Sequence, residues 1–241
     1  MAMQIGIVGL GRMGANVARR LMRAGHACVV FDIDRKARDA LAGEGATPVT
    51  SLAAKVTALV PQPRAIWLML PAGPITEVTP NALPGLLQVG DIIVDGGNSY
   101  YKDAIRRANS LAQKQIAFVD CGTSGGVWGP ERGYCLMISG DKDTVRHLDP
   151  IFAALAPGVG SIARTPGCPA EPSRPERGYL HAGPSGAGHR QDHLFGDRLL
   201  SAMRLGFGGH VEGGEHTGAA GRSKTTGVGQ RRRRGRMTHG R

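Results

Sequence analysis

Gly9-Leu10-Gly11-Arg12-Met13-Gly14 is the feature that most limits what this chain can fold into. Three glycines at this spacing follow a short apolar run, Met3 to Val8, and precede a stretch in which Val17, Leu21 and Ala24 recur at helical spacing. A strand, a tight turn and a helix are therefore predicted in succession. Gly9 would allow the turn, Gly11 would let a ligand approach the backbone, and Gly14 would let helix and strand pack closely. A helix that begins in this way aims unpaired N–H groups and the positive end of its dipole at whatever lies over the turn. The next apolar run, Ala27 to Phe31, ends at Asp32, about 20 residues further on, where a carboxylate can accept hydrogen bonds from a ribose.

Similar units recur along the chain. Ala65 to Leu70 ends at Pro71, Asp91 to Val94 ends at Asp95-Gly96-Gly97, and Ile116 to Val119 ends at Asp120, while Arg35 to Leu41 and Tyr101 to Gln113 read as helices. Strands alternating with helices predict an α/β fold, a doubly wound parallel sheet of the Rossmann-like, dinucleotide-binding type. Tyr134 to Ser139 reads as a further strand and Asp143 to Leu155 as a helix capped near Asp141.

Residues 1–165 are expected to form this domain, residues 166–189 a linker, and residues 190–241 a disordered or non-native basic tail. The tail holds 12 Gly and 10 Arg among its 52 residues, so it can bury too little apolar area to offset its ordering entropy. Charge divides at the same place. Lys and Arg number 19 against 15 Asp and Glu in residues 1–189, but 11 against 4 afterwards, so the folded part is only mildly basic. Arg231 to Arg234, with Arg236 and Arg241, offer a nucleic-acid reading through counterion release. They lack interleaved aromatics or a base-reading fold, and nucleic acid is not the expected partner.

Cys28, Cys121, Cys135 and Cys168 share no CxxC spacing, so no zinc site or disulfide framework is expected. The N-terminus meets a glycine turn too early for a signal peptide, and no stretch reaches the roughly 20 apolar residues of a membrane span. The expectation is a cytoplasmic protein.

The strand ends carry the candidate chemistry. The charge of Asp32 would repel a 2′-phosphate and favour NAD, whereas Arg35 and Lys36 could hold that phosphate and keep NADP as the alternative. Leu70, Pro71, Ala72 and Gly73 follow another strand, where the crevice beside a bound cofactor would lie. In Asp95-Gly96-Gly97-Asn98-Ser99 the side chain of Asn98 offers both donor and acceptor, though Ser99 or Asn98 acting as a helix cap accounts for the pattern equally well. Cys121 to Gly126 presents the Ser124 hydroxyl and the N–H groups of Gly125 and Gly126 to an anionic substrate, or forms a flexible loop. Tyr134, Tyr179 and the eight histidines show no triad spacing.

Taken together, GLGRMG, LPAG, DGGNS, the SGG after the following strand, GYLH and GPSGAGH resemble 6-phosphogluconate dehydrogenase over residues 3–189, within its short bacterial, NAD-using branch. A related β-hydroxyacid dehydrogenase is the alternative, and the DGGNS and GYLH-to-GAGH segments favour the phosphogluconate branch. The resemblance implies Gly9, Leu10, Gly11, Arg12, Met13 and Gly14 at a pyrophosphate, Asp32 at a ribose, and Leu70, Pro71, Ala72 and Gly73 near the cofactor. It further implies Asn98 against nicotinamide and substrate, and Ser124, Gly125 and Gly126 against the sugar acid. The implied reaction is oxidative decarboxylation of 6-phosphogluconate to ribulose 5-phosphate.

The family's catalytic lysine and glutamate follow directly after GAGH. Here those positions are Asp192 and Leu199, so no catalytic residue is assigned and no turnover is expected. The helical second domain that carries much of the family's homo-oligomer contact is likewise not recognisable. Likeness that stops within one residue of His189 implies a shifted reading frame. Sequencing the coding DNA should find a lysine-containing continuation in another frame after codon 189; its absence would contradict that expectation.

Overall fold

The computed structural model describes residues 1–60, 62–71, 82–159, 173 and 175–190. In chain order the elements are β1 (Gln4–Val8), α1 (Arg12–Arg23), β2 (Ala27–Phe31), α2 (Arg35–Gly43), β3 (Thr47–Pro48), α3 (Leu52–Ala58) and β4 (Ala65–Leu68). There follow β5 (Ile92–Asp95), α4 (Tyr101–Ala112), β6 (Ala117–Ser124), α5 (Gly129–Arg132), β7 (Cys135–Gly140), α6 (Lys142–His147), α7 (Asp149–Leu155) and β8 (Tyr179–Gly183). The strands form one sheet in the order β3-β2-β1-β4-β5-β6-β7-β8. From β1 the chain winds first towards β3 and then, from β4, in the opposite direction. That reversal beside β1 is the switch point at which open α/β sheets bind ligands.

The expected parallel pairing holds through β6. β7 then runs antiparallel to β6, with Ser124 opposite Cys135 and Val119 opposite Gly140, and β8 runs parallel to β7. The connection from Gly125 to Tyr134 is shorter than the dozen or more residues that a parallel crossover needs, so the chain returns in the opposite direction.

Apolar layers cover both faces. Ile5, Ile7, Trp67, Val94 and Cys121 face α1 and α7, contributing to one cluster with Val17, Leu21 and Phe152. Val8, Leu68, Ile93 and Phe118 face the other way with Ala104 and Leu111 of α4. β4 and β5 are buried at every residue, as strands covered on both sides must be. The Arg20 guanidinium fixes α1 to its neighbour by donating to the carbonyls of Ala154, Leu155 and Ala156 at the end of α7, at 2.9, 3.0 and 2.7 Å.

Three segments differ from the sequence expectation. The helix predicted over Asp143 to Leu155 is two helices meeting at Leu148, because Pro150 in the first turn of α7 has no N–H to continue the preceding helix. Asp141 caps the first of them, accepting from Asp143 and Thr144. β6 continues to Ser124 rather than giving way to a loop after Val119, since β7 pairs with its last residues. Tyr179–Gly183, within the stretch expected to link to another domain, is the eighth strand. Residues 191–241, all of the expected tail but Arg190, lie outside the described residues, and no helix among the described residues is long and apolar enough to cross a membrane.

Lys55 of α3 is fully buried and donates from Nζ to the Ile7 carbonyl of β1. Gly6 makes room for it: a Cβ there would lie 2.6 Å from Lys55 Cε. Burial holds the Lys55 amine well below its ordinary value, opposed by Cys28. The folded state therefore binds fewer protons than the unfolded chain, and stability should rise with pH between that lowered value and the ordinary lysine range, by up to about 1.4 kcal/mol per pH unit. Lys55→Met should flatten this slope and leave the fold at least as stable at neutral pH. Urea unfolding at pH 7 and pH 9 measures both; a parent slope of zero would contradict a neutral buried amine.

Candidate functional site

The glycine turn lies where β1 passes into α1. Gly9 has φ +89°, a left-handed conformation, and a Cβ there would stand 2.3 Å from the Met69 carbonyl oxygen. A Cβ on Gly14 would stand 1.8 Å from the Gly9 carbonyl oxygen, so only glycine lets α1 start this close to the turn. Gly11 is different. Its φ is −60°, and no described atom lies within 4 Å of a Cβ placed there, so neither backbone strain nor packing calls for glycine. The space above it is open, which fits a group that must approach the backbone closely.

No side chain caps α1 and its first turn holds no acid, so the N–H groups of Arg12, Met13 and Gly14 face this space with the positive end of the helix behind them. Leu10 is buried and the Arg12 side chain is exposed at the rim. The Leu10 N–H donates to Asp32 Oδ2 at 2.5 Å, and the Asp34 N–H donates to Asp32 Oδ1 at 2.9 Å. Both carboxylate oxygens are thereby oriented, and each retains a lone pair for another donor.

The other motifs stand along the same edge. β1, β4, β5 and β6 are adjacent and parallel, with Val8, Leu68, Asp95 and Asp120 in register, so the segments that follow them open on one side of the sheet. Met69 continues the pairing through its N–H to the Val8 carbonyl, and Leu70 and Pro71 follow at the rim. Ala72 and Gly73 lie outside the described residues. Beyond β5, a Cβ on Gly96 would strike the Trp67 indole and one on Gly97 the Leu70 carbonyl, which draws this loop against the end of β4.

Asn98 is exposed at the tip of that loop. Neither it nor Ser99 caps α4; the N-cap is Tyr100, without a side-chain hydrogen bond. Ser99 is turned inward instead, donating to Asp95 Oδ2 at 2.7 Å, and Arg107 of α4 donates to the same oxygen at 2.9 Å. Asp95 Oδ1 accepts the Gly97 N–H at 3.1 Å. One buried carboxylate thus holds both ends of the loop and presents Asn98 outward.

β6 runs four residues beyond the level of Asp95, which carries Ser124 about 13 Å further along the strand direction. Gly125 has φ +149° and its Cβ position abuts Gly133 and Tyr134, whereas Gly126 is exposed and open. Ser124, Gly125 and Gly126 consequently stand beyond the level of Asp95 at the same edge of the sheet.

Sequence reasoning missed Asp120. It is fully buried in β6, accepts the N–H groups of Gly186 and His189 at 2.6 and 3.1 Å, and so anchors the turn after β8 to the central sheet. His189 Nδ1 lies 3.8 Å from Asp120 Oδ2. Burial pushes the Asp120 carboxyl up, opposed by the Gly186 N–H and His189 and reinforced by neighbouring Asp95. An acid inside the apolar run Phe118-Val119-Asp120-Cys121 was the available signal. Asp192 and Leu199 lie outside the described residues, and among those residues no group of three His, Cys, Asp or Glu could hold a metal ion.

Residues 4–163 match the family model of the NAD binding domain of 6-phosphogluconate dehydrogenase. The chain is 41% identical over 187 residues to the NAD(+)-dependent, decarboxylating 6-phosphogluconate dehydrogenase of Haloferax volcanii, covering 78% of this chain and 56% of that protein. It is 35% identical over 189 residues to the Bacillus subtilis protein of the same description, covering 77% and 37%. The chain thus spans little more than half the length of the Haloferax relative. Among solved structures, 6-phosphogluconate dehydrogenase of Plasmodium falciparum shares the fold at TM-score 0.68 and 22% identity, over 84% of this chain and 41% of that one. The 3-hydroxyisobutyrate dehydrogenase of Mycobacterium tuberculosis does so at TM-score 0.67 and 22% identity, over 85% and 62%.

Proposed function

Because the chain belongs to the 6-phosphogluconate dehydrogenase family through its NAD-binding domain, we propose that its glycine turn holds the pyrophosphate of NAD and that Asp32 accepts the adenosine ribose hydroxyls. The observation that carries this reading is the open space over Gly11, bounded by the uncapped N-terminus of α1 and by the carboxylate fixed on the Leu10 N–H. Oriented N–H groups and a helix dipole stabilise a pyrophosphate, and an oriented carboxylate matches a vicinal diol. The charge of Asp32 disfavours a 2′-phosphate, so NAD is preferred to NADP. Leu10, Met13, Leu70 and Pro71 line the cofactor's path, with Ala72 and Gly73 assigned to it by family resemblance alone.

When bound, NAD supplies a hydride acceptor. The rest of this reading concerns the chain's own residues. Asn98, held outward by the Asp95 network, contacts the nicotinamide amide and the substrate. The Ser124 hydroxyl and the N–H groups of Gly125 and Gly126 bind the sugar acid, taken to be 6-phosphogluconate. In the family, oxidation at C3 and loss of carbon dioxide to give ribulose 5-phosphate need a base for the hydroxyl proton and an acid for the enediol.

Asp192 and Leu199 occupy the lysine and glutamate positions here. A carboxylate has the charge opposite to an ammonium and adds repulsion beside an anionic substrate, and a leucine moves no proton. The proposed role of this chain is therefore cofactor binding without turnover.

Calorimetric titration should find NAD binding, with NADP weaker. Asp32→Ala should weaken NAD by about tenfold through loss of charge-assisted hydrogen bonds, and Gly11→Val should abolish binding by filling the space above the turn. Binding unaffected by Gly11→Val would overturn the assignment of that space.

A further inference from the structure

We propose that Arg107 is a positioning residue for the nicotinamide end of the cofactor: its guanidinium, held between Asp95 and Ser99, sets the loop so that Asn98 meets the carboxamide. This inference rests on the reading of Asn98 as the nicotinamide contact, and it assigns that contact's strength to a residue of α4 that touches no ligand.

The loop must turn from the end of β5 into α4, and neither Asn98 nor Ser99 caps that helix, so the helix start does not fix Asn98. Two attachments do. At the near end a Cβ on Gly96 would stand 2.2 Å from the Trp67 indole nitrogen, and one on Gly97 would stand 2.7 Å from the Leu70 carbonyl oxygen. At the far end Ser99 is buried, donating to Asp95 Oδ2 at 2.7 Å and accepting from Arg107 Nη1 at 3.2 Å. Arg107 Nη1 also donates to Asp95 Oδ2, at 2.9 Å. Ser99, Asp95 and Arg107 thus close a triangle of hydrogen bonds on the residue next to Asn98.

The cation is what makes this triangle hold. Asp95 and Asp120 are cross-strand partners on β5 and β6 and both are buried, so two carboxylates repel one another where water screens them little. Arg107 lies against Asp95 with 6% of its side chain exposed, and its charge offsets that repulsion. Arg106 instead pairs with Asp103 at the exposed surface, at 3.3 Å, so α4 turns one of two adjacent arginines inward. A neutral side chain at position 107 would leave Asp95 without its charged partner and remove one of the hydrogen bonds of Ser99. The far attachment of the loop would loosen, while Ile93, Ala104 and Leu111 keep β5 and α4 in the apolar layer they share. The pyrophosphate and ribose contacts proposed at α1 and Asp32 belong to other elements and do not use the triangle.

The discriminating experiment titrates the full chain, Asn98→Ala, Arg107→Met and the double variant with NAD and with ADP-ribose, which keeps the pyrophosphate and adenosine but lacks nicotinamide. The ratio of the ADP-ribose to the NAD dissociation constant reads the nicotinamide contact alone. Asn98→Ala should lower this ratio by about fivefold, Arg107→Met by about as much, and the double variant by no more than either. Arg107→Lys, which keeps the charge without the fork, should recover part of the loss. If far-ultraviolet circular dichroism shows that Arg107→Met does not fold, Ser99→Ala takes its place with the same expected fall. An arginine that only supports the fold would weaken both ligands alike; an unchanged ratio in Arg107→Met, or in Ser99→Ala where that replaces it, overturns the proposal. Additive losses in the double variant overturn action through Asn98. A ratio unchanged in Asn98→Ala overturns the reading of Asn98 itself, and this inference with it.

Discussion

The functional edge of the sheet depends on how near Gly14 lies to the Gly9 carbonyl. A methyl group at Gly14 would sit 1.8 Å from that oxygen. Their approach seats the first turn of α1 directly on the end of β1, so that the helix axis points its free N–H groups over the sheet edge rather than past it. Moving α1 outward by the width of a side chain would also break the Arg20 contacts that bind its far end to α7. The helix is thus fixed at both ends, and the open space over Gly11 is a product of that placement.

Carboxylates along the same edge extend this order across the sheet. Asp32 joins the β2 end to the glycine turn, and Asp95 gathers Gly97, Ser99 and Arg107 beneath the Asn98 loop. Asp120 holds the turn at Gly186 to His189. Each acid ends or interrupts an apolar run, and each uses its carboxylate to fix backbone that would otherwise move. Burying Asp95 and Asp120 is costly unless their acceptors are filled, which explains why both meet a backbone N–H.

Much of this was legible in the sequence because short-range rules govern it. The Gly9-to-Gly14 turn, β2, the start of α2 at Arg35 and the core of α4 follow from periodicity and glycine spacing, which local sterics enforce. What escaped depends on partners distant in sequence. β6 extends to Ser124 only because β7 returns to pair with it, and β8 is a strand because β7 offers an edge. Ser99 looked like a helix cap, yet the buried Asp95 competes for its hydroxyl and wins. Lys55 gave no sign of burial, since the room for it comes from Gly6 in a different element. The family motifs supplied roles for Asn98 and Ser124 to Gly126 that geometry alone leaves unassigned.

The central claim is that the N-terminus of α1, with Asp32 beside it, receives a dinucleotide. Amide chemical-shift changes on addition of NAD to the isotope-labelled chain test it most directly. The largest changes should fall on Gly11 to Gly14 and on Ile33 and Asp34, with β8 unaffected. Saturable binding that leaves those amides silent and shifts others would contradict the account.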